Sequence, residues 1–318
     1  VEAKPVAAVF GIKGALLETP IPDDPLFGAV GLESLNSFIT RLDKTATDEN
    51  VKAVVLLLSS PELNYAQIEE IRESMDRVKA AGKKVYAFSD SLSTGTYALV
   101  SGANRISVVP TGDLWITGIY GEQMYLKSLF DKIGVEPDFM TCGAYKSAAE
   151  QYTRSGPSDA AKEMYGWLYD GLYQRVVELI ATGRNVPAEK AQAWIKDGLY
   201  SAESAVKAGL IDAAEERLAL EQFLRTEYGD NLQFDKNYAK PKGMQIDMNN
   251  PFALLQVWAQ ILNGPQQRRP TKDQIAIVYI EGPISLGNPD NSSPLSLMSS
   301  GGAYSCLLYT SPSPRDVE

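Results

Sequence analysis

Histidine is absent from all 318 residues. A Ser-His-Asp or Cys-His nucleophile system needs an imidazole as base, and a His-ligated metal centre needs one as ligand, so both are excluded within this chain. Cysteine is nearly absent as well: Cys142 and Cys306 could form one bridge at most, and no CxxC pair offers a zinc site. No run of about 18 apolar residues occurs, which excludes a transmembrane helix inside these residues. Excess positive charge is also missing. With 30 Lys and Arg against 40 Asp and Glu, the net charge of −10 gives no surface that seeks phosphate, and nucleic acid is set aside as a partner. Gly112, Gly118 and Gly121 lead into no Lys-Ser/Thr step, so no phosphate-cradling loop is indicated. No cofactor or metal is expected.

What is present suffices for real cores: 44% of the residues are hydrophobic, enough for one large domain or two of ordinary size. The first residue is Val1 rather than Met, which leaves room for a signal or anchor segment upstream. Apolar runs at Val6–Gly14 and Val51–Leu58 predict strands covered on both faces, and Leu32, Leu35, Phe38, Ile39 and Leu42 recur between them at helical spacing. Helix 66–80, with Ile68, Ile71, Met75 and Val78 on one face, stops at Gly82 before a strand at Val85–Phe88. This βαβα alternation predicts a parallel sheet with right-handed crossovers. A short helix at 97–102, a strand at Arg105–Val109, a helix at 124–133 and a strand at Val135–Met140 follow. Ser158 is an N-cap candidate for a long helix to Gly183, with Trp167, Leu168, Leu172, Val176, Leu179 and Ile180 as its apolar stripe. Helices 188–196 and 202–208 lead to Gly209-Leu-Ile-Asp212.

Residues 233–250 are polar and punctuated by Pro and Gly, and read as a linker. The uncharged apolar stretch 251–262 is too short to span a bilayer; it is expected as a helix packing on its own domain or a neighbouring subunit, with membrane-surface contact as the alternative. Aligning Gly14 with Gly282 lays Val9–Leu16 over Ile277–Ile284, each a strand ending in Gly and one apolar step. The expected division is therefore a first repeat over 1–232, a linker over 233–271 and the start of a second repeat over 272–305. Residues 306–318 show neither periodicity, and one reverse translation of them resembles the read-through of a transposon-based sequencing-library adapter. On that reading the tail is foreign, Cys306 drops out, and the chain is a fragment lacking most of its second repeat.

Without histidine a hydrolase needs another base, and lysine serves once burial lowers its pKa from about 10.4 towards neutrality. Gly143-Ala-Tyr-Lys146-Ser-Ala-Ala-Glu150 puts one lysine on a turn between a strand and a helix, where Ser147 and Glu150 have capping-box spacing. Tyr145, Ala148 and Ala149 offer a weakly polar setting, whereas a carboxylate at Glu150 would hold the ammonium charged. On local sequence alone, a solvated lysine at a helix start is the simpler reading. Cys142 reads as a packed strand-end thiol, and Asp113, Glu122 and Asp131 as scattered solvated acids.

Four segments change the balance for Lys146. Gly143-x-Tyr-Lys-Ser147-Ala, Leu58-Ser59-Ser60-Pro61, Thr94-Gly95-Thr96-Tyr97, and Asp197-Gly198-Leu-Tyr200-Ser-Ala202 through Gly209-Leu-Ile-Asp212 together resemble, in order and spacing, the signal peptide peptidase A family, also called protease IV. The second copy from Lys272 is similar to the long form with two tandem repeats. The resemblance implies an α/β fold of the Clp-protease/crotonase type, a parallel sheet with surrounding helices. It implies a membrane-anchored Ser-Lys endopeptidase on the periplasmic side of a bacterial inner membrane, acting on cleaved signal peptides and other short hydrophobic peptides. It further implies Lys146 as general base, a serine supplied by the second repeat, and a homotetramer with inward-facing sites.

The departures are specific. An active repeat of that family carries Asn-Ser-Pro-Gly-Gly, which helps build an oxyanion hole, and Ala-Ser-Gly-Gly-Tyr, whose serine attacks. Here those places read Ser59-Ser60-Pro61-Glu62-Leu63 and Ser93-Thr94-Gly95-Thr96-Tyr97. Thr94 is thus a degenerate nucleophile position, and the first repeat is expected to donate the lysine alone. Two rival classes are a crotonase-like acyl-CoA enzyme, which gives Lys146 no role, and a non-catalytic peptide-binding scaffold.

Overall fold

A sheet covered on both faces needs strands that are apolar almost throughout, and the first two strands meet that demand. In the computed structural model, which describes residues 4–19, 33–240, 284–285 and 303–304, β1 (Val6–Ala15) and β2 (Val51–Glu62) pair in parallel with Ala8 beside Val54 and Ile12 beside Leu58. Helix α1 (Leu35–Thr47) connects them, N-capped by Ser34, whose hydroxyl accepts from Ser37 N. Helix α2 (Tyr65–Ala80) opens on a reciprocal capping box between Asn64 and Gln67. Then come β3 (Lys84–Ser89), β4 (Leu92–Ser93), α3 (Thr94–Val100), β5 (Arg105–Val108), β6 (Asp113–Trp115) and α4 (Lys127–Ile133). The chain continues through α5 (Glu150–Thr153), α6 (Asp159–Arg184), α7 (Ala188–Asp197), β7 (Leu199–Ser201), α8 (Ala202–Ala208), β8 (Ala213–Ala214), α9 (Arg217–Tyr228) and β9 (Gln233–Asp235).

The main sheet has the order β8-β5-β3-β2-β1-β9, parallel throughout. The α/β class and parallel sheet expected from the alternation are present. One face packs on α1, α2, α3 and the end of α6 through Phe10, Phe38, Leu56, Ile71, Met75 and Leu99, all at most 1% exposed. Each such side chain contributes roughly 1.5–3 kcal/mol by leaving water. The other face is covered by α9 through Val9, Val55, Tyr86, Leu220 and Leu224. A smaller sheet, β4-β6-β7, pairs β6 parallel to β4 and antiparallel to β7.

Three expectations change. Val135–Met140 is not a strand: it is exposed at nearly every position, Pro137 lacks an N–H, and no described residue pairs with it. The predicted stripe of α6 is buried only from Val176 onward, while Trp167 is 80% exposed and Leu168 is exposed too. The linker does not start at Gln233, because β9 adds to β1 and the following Tyr238 is buried, its carbonyl accepting from Arg41 Nε at 2.8 Å.

A second unit begins at Ile246. Within it β10 (Ile284–Ser285) pairs in parallel with β11 (Ala303–Tyr304). The expected apolar helix 251–262, Cys306 and the tail 306–318 lie outside the described residues.

Candidate active site

Thr94 is the first residue of α3, and the residues around it explain why a helix starts there. Ser93 caps it, accepting from Thr96 N, while Ser93 N donates to Thr96 Oγ1 at 2.7 Å. The helix therefore begins three residues before the expected Tyr97. The Thr94 side chain is buried and its hydroxyl donates to the Trp115 carbonyl of β6 at 3.4 Å. Trp115 pairs with Leu199 of β7, and Ile116 N donates to the Gly198 carbonyl at 2.7 Å. The Asp197–Ala202 motif is thereby brought beside the nucleophile position.

Tyr97, three residues on, ties the same helix to the fourth motif. Its hydroxyl donates to the Leu210 carbonyl at 2.8 Å with both residues fully buried, and burial pushes that hydroxyl's pKa well up. Asp212 in turn accepts from Ile106 N at 2.8 Å and from Arg184 at 3.0 and 3.1 Å. Gly209, with φ +83, closes α8 in the left-handed conformation that glycine tolerates. The far end of α3 is gripped by buried Arg72, which donates to the Ala98 carbonyl and Ser101 Oγ, and to the Leu179 carbonyl of α6. Sequence reading did not single out Arg72; a lone arginine on the apolar face of α2 was the available signal.

The segment Ser59–Glu62 ends β2. Ser60 has φ +51 at the point where the pairing with β1 shifts register, so that Gly14 lies beside Pro61. A non-glycine residue in this region carries strain of order 1 kcal/mol. No glycine follows Pro61 to present free amides there.

Lys146 stands on the turn closed by Lys146 N donating to the Gly143 carbonyl, Gly143 having φ +92. The lysine is exposed, and its ammonium makes no hydrogen bond or ion pair among the described residues. The predicted Ser147–Glu150 capping box does not form. Ser147 opens a short 3-10 turn instead, and the Glu150 carboxylate accepts Ser158 N at 2.8 Å, so that Ser158 holds its pKa below the ordinary glutamate value. Tyr145 is exposed rather than packed about the lysine; its hydroxyl donates to Glu163 Oε2 at 3.0 Å. Cys142 is exposed and free, not a packed strand-end thiol, because the strand that would bury it is not formed. Asp113, Glu122 and Asp131 are solvated. No hydrogen bond links Thr94 to Lys146. Among the described residues no group of three or more Cys, Asp or Glu could hold a metal ion, and no helix is long and apolar enough to cross a membrane.

Comparison with known proteins bears on these motifs. Residues 77–227 match the sequence profile of peptidase family S49. The chain is 28% identical over 250 residues to protease 4 of Salmonella typhi, covering 70% of this chain and 39% of that protein. Protease 4 of Haemophilus influenzae is 28% identical over 257 residues, covering 78% and 40%. The chloroplastic serine protease SPPA of Arabidopsis thaliana is 25% identical over 242 residues, covering 76% and 34%. The chain thus spans about two fifths or less of the length of these relatives. Among solved structures, the membrane-bound stomatin-specific protease 1510-N, as a mutant complexed with a substrate peptide, aligns with a TM-score of 0.42 at 16% identity, covering 76% of this chain and 95% of that one. Residues 77–227, which match peptidase family S49, contain Thr94, Lys146 and the Gly209–Asp212 turn, and the chain is a homologue of the SppA and protease 4 serine peptidases.

Proposed function

We propose that this chain is the lysine-donating part of a two-repeat Ser-Lys endopeptidase of family S49. The observation that carries the reading is the situation of Lys146, exposed on its turn without an ammonium partner among the described residues while Glu150, the nearest carboxylate in sequence, is committed to Ser158 N. An amine outside any ion pair is available to act as a base once the assembled site excludes water around it, because burial is what lowers a lysine's pKa. Thr94 supports the division of labour: its side chain is buried with the hydroxyl turned onto a carbonyl, and the Ser59–Glu62 segment lacks the glycines of an oxyanion hole.

The attacking serine then belongs to the second repeat. Its oxygen adds to the peptide carbonyl as its proton passes to Lys146 Nζ. The ammonium returns that proton to the departing amine nitrogen as the C–N bond breaks, leaving an acyl-enzyme. Water, deprotonated by the same amine, releases the acyl group and restores the serine. The parallel pair Ile284–Ser285 with Ala303–Tyr304 supports a tandem repeat, since the Gly14–Gly282 alignment sets Leu17 on Ser285, and Leu17 makes a parallel bridge to Ser34. Cleaved signal peptides and short hydrophobic peptides are the proposed substrates, and a homo-oligomer anchored to a membrane by a segment outside these residues, facing the periplasm, is the proposed setting.

The test is incubation of the purified chain with a fluorogenic hydrophobic peptide. The expected result is no turnover above the Lys146→Ala background, because a base without its nucleophile retains almost none of the pair's rate. Turnover that survives Thr94→Ala but is lost in Lys146→Ala would place a working nucleophile elsewhere in this chain and end the reading. A non-catalytic peptide-binding scaffold is favoured instead if a complete second repeat restores no cleavage.

A further inference from the structure

The turn that carries Lys146 is held very unequally on its two sides. On the C-terminal side Ser147 is buried in its 3-10 turn, and the Glu150 carboxylate accepts Ser158 N at 2.8 Å. The N-terminal side has no such scaffold. Among the described residues, 136–145 donate no backbone hydrogen bond to another backbone group, and the turn is closed by Lys146 N on the Gly143 carbonyl at 3.2 Å, with Gly143 at φ +92. A chain so sparsely bonded needs another anchor if the residue after it is to keep one place.

Tyr145 supplies that anchor. Its hydroxyl donates to Glu163 Oε2 at 3.0 Å, which is the one side-chain hydrogen bond that residues 136–145 make among the described residues. Glu163 lies one turn into α6, the helix that Ser158 caps, and the carboxylate raises the tyrosine's pKa, so the phenol keeps the proton it donates. Tyrosine suits the task, because two side-chain torsions fix a rigid ring between the backbone and the helix at small entropic cost. Two ties therefore flank Lys146, Tyr145 to Glu163 and Glu150 to Ser158, and both end at the start of α6. A backbone gripped on either side of one residue cannot swing freely, and the lysine side chain leaves it from a fixed base.

We propose that Glu163 is a positioning residue for Lys146: through the Tyr145 hydroxyl it holds the N-terminal side of the turn on α6, so that the amine is presented in one direction to the serine of the second repeat. The inference rests on Lys146 being the base of the pair. Neither Tyr145 nor Glu163 touches the reacting atoms. Both side chains are exposed, so their hydrogen bond adds little to stability. Its effect is on place, since a misplacement of about 1 Å can cost roughly 10²-fold in rate. What Glu163 provides is an acceptor oxygen for a neutral donor, and a glutamine side chain can provide the same.

The experiment compares Glu163→Ala, Glu163→Gln and Tyr145→Phe with wild type. On the full chain, melting points are expected within about 2 °C of wild type. Hydrogen exchange of the Lys146 amide, followed by NMR, should quicken at least about threefold in Glu163→Ala and Tyr145→Phe and stay near the wild-type rate in Glu163→Gln. In the protein with a complete second repeat, Glu163→Ala and Tyr145→Phe should lower kcat at least about tenfold with KM within about twofold, while Glu163→Gln keeps at least about half of kcat. Melting points lowered beyond the stated range make the pair structural and overturn the proposal. A Gln variant as impaired as Ala overturns it too, because charge would then be the operative property, and so does an amide rate or a kcat unchanged in either Glu163→Ala or Tyr145→Phe. Lys146→Ala in the same assay keeps the two claims apart. If it retains kcat, the base assignment and the positioning role fall together; if it is dead while Glu163→Ala and Tyr145→Phe are active, the positioning role falls alone.

Discussion

Replacing Tyr97 by Phe removes one oxygen from the centre of the domain and tests whether the motif helix is held as described. The hydroxyl donates to the Leu210 carbonyl at 2.8 Å, and both residues are fully buried. The ring stays, so packing is preserved and no cavity larger than one oxygen opens. What is lost is a neutral hydrogen bond worth about 1 kcal/mol net, and a buried carbonyl is left without that donor, which raises the cost towards about 2 kcal/mol. In a domain of this size each kcal/mol moves the melting point by roughly 2–4 °C, so a fall of about 4–8 °C is expected. Urea unfolding should show the midpoint lowered at unchanged slope. Tyr97→Leu also gives up ring packing and should cost more, about 3–5 kcal/mol. A Phe variant within 0.5 kcal/mol of wild type would show that the Leu210 carbonyl finds another donor, and the link between α3 and the Gly209–Asp212 turn would not be the hydrogen bond described.

In a protein carrying a complete second repeat, Lys146→Ala should lower kcat at least about 10³-fold, and Lys146→Arg nearly as much, because a guanidinium does not give up its proton at working pH; an active Arg variant would make the residue a fixed charge. Thr94→Ala should change kcat less than about threefold in the same assay, and a dead variant would make the first repeat catalytic in its own right. Glu150 is held below its ordinary pKa by Ser158, so its hold on the start of α6 is complete above about pH 4.5 and is lost as pH falls through the lowered value; amide exchange at Ser158 should quicken over that range in wild type and show no such step in Glu150→Gln. Deleting residues 306–318 should leave stability within about 0.5 kcal/mol, and a drop of several degrees would mark the tail as native structure.

The elements legible from sequence are those whose burial is written in one period. The runs Val6–Gly14 and Val51–Leu58 could belong only to a doubly covered sheet, and Ile68, Ile71, Met75 and Val78 fix one face of α2. Ser158 caps α6 as its position before the helix suggests. What failed depends on long-range partners. Ser147 and Glu150 have the spacing of a capping box, yet Glu150 finds Ser158 N eight residues on, a competitor no local rule reveals. Gln233–Asp235 looks like linker because it is short and polar, and it becomes a strand only because β1 offers an open edge. The α6 stripe runs at one spacing from Trp167 to Ile180, but only its second half meets the core. At the site, the motifs were found by resemblance, while the roles of Arg72 and of the strained Ser60 come from contacts across the fold.

Those contacts separate the motifs by what each does for the structure. Tyr97 anchors α3 to Leu210, Asp212 pins β5 and Arg184, and the Asp197–Ala202 segment pairs with β6. Thr94 itself is satisfied by the Trp115 carbonyl. Each of these residues would be wanted by the fold even if the domain catalysed nothing. Lys146 is different. Neighbouring Ser147 is buried and Glu150 accepts the N–H of Ser158, the cap of α6, but among the described residues the lysine ammonium makes no hydrogen bond or ion pair. A positively φ-turned Gly143 and a closed backbone hydrogen bond are devoted to presenting it. Packing accounts for two of the four motifs and leaves the lysine unexplained, which is the pattern expected where a scaffold has kept its shape and one functional group. If Lys146→Ala leaves the unfolding free energy within about 0.5 kcal/mol of wild type, as an exposed side chain with no partner among the described residues should, its place in the turn is to be sought in chemistry and not in stability.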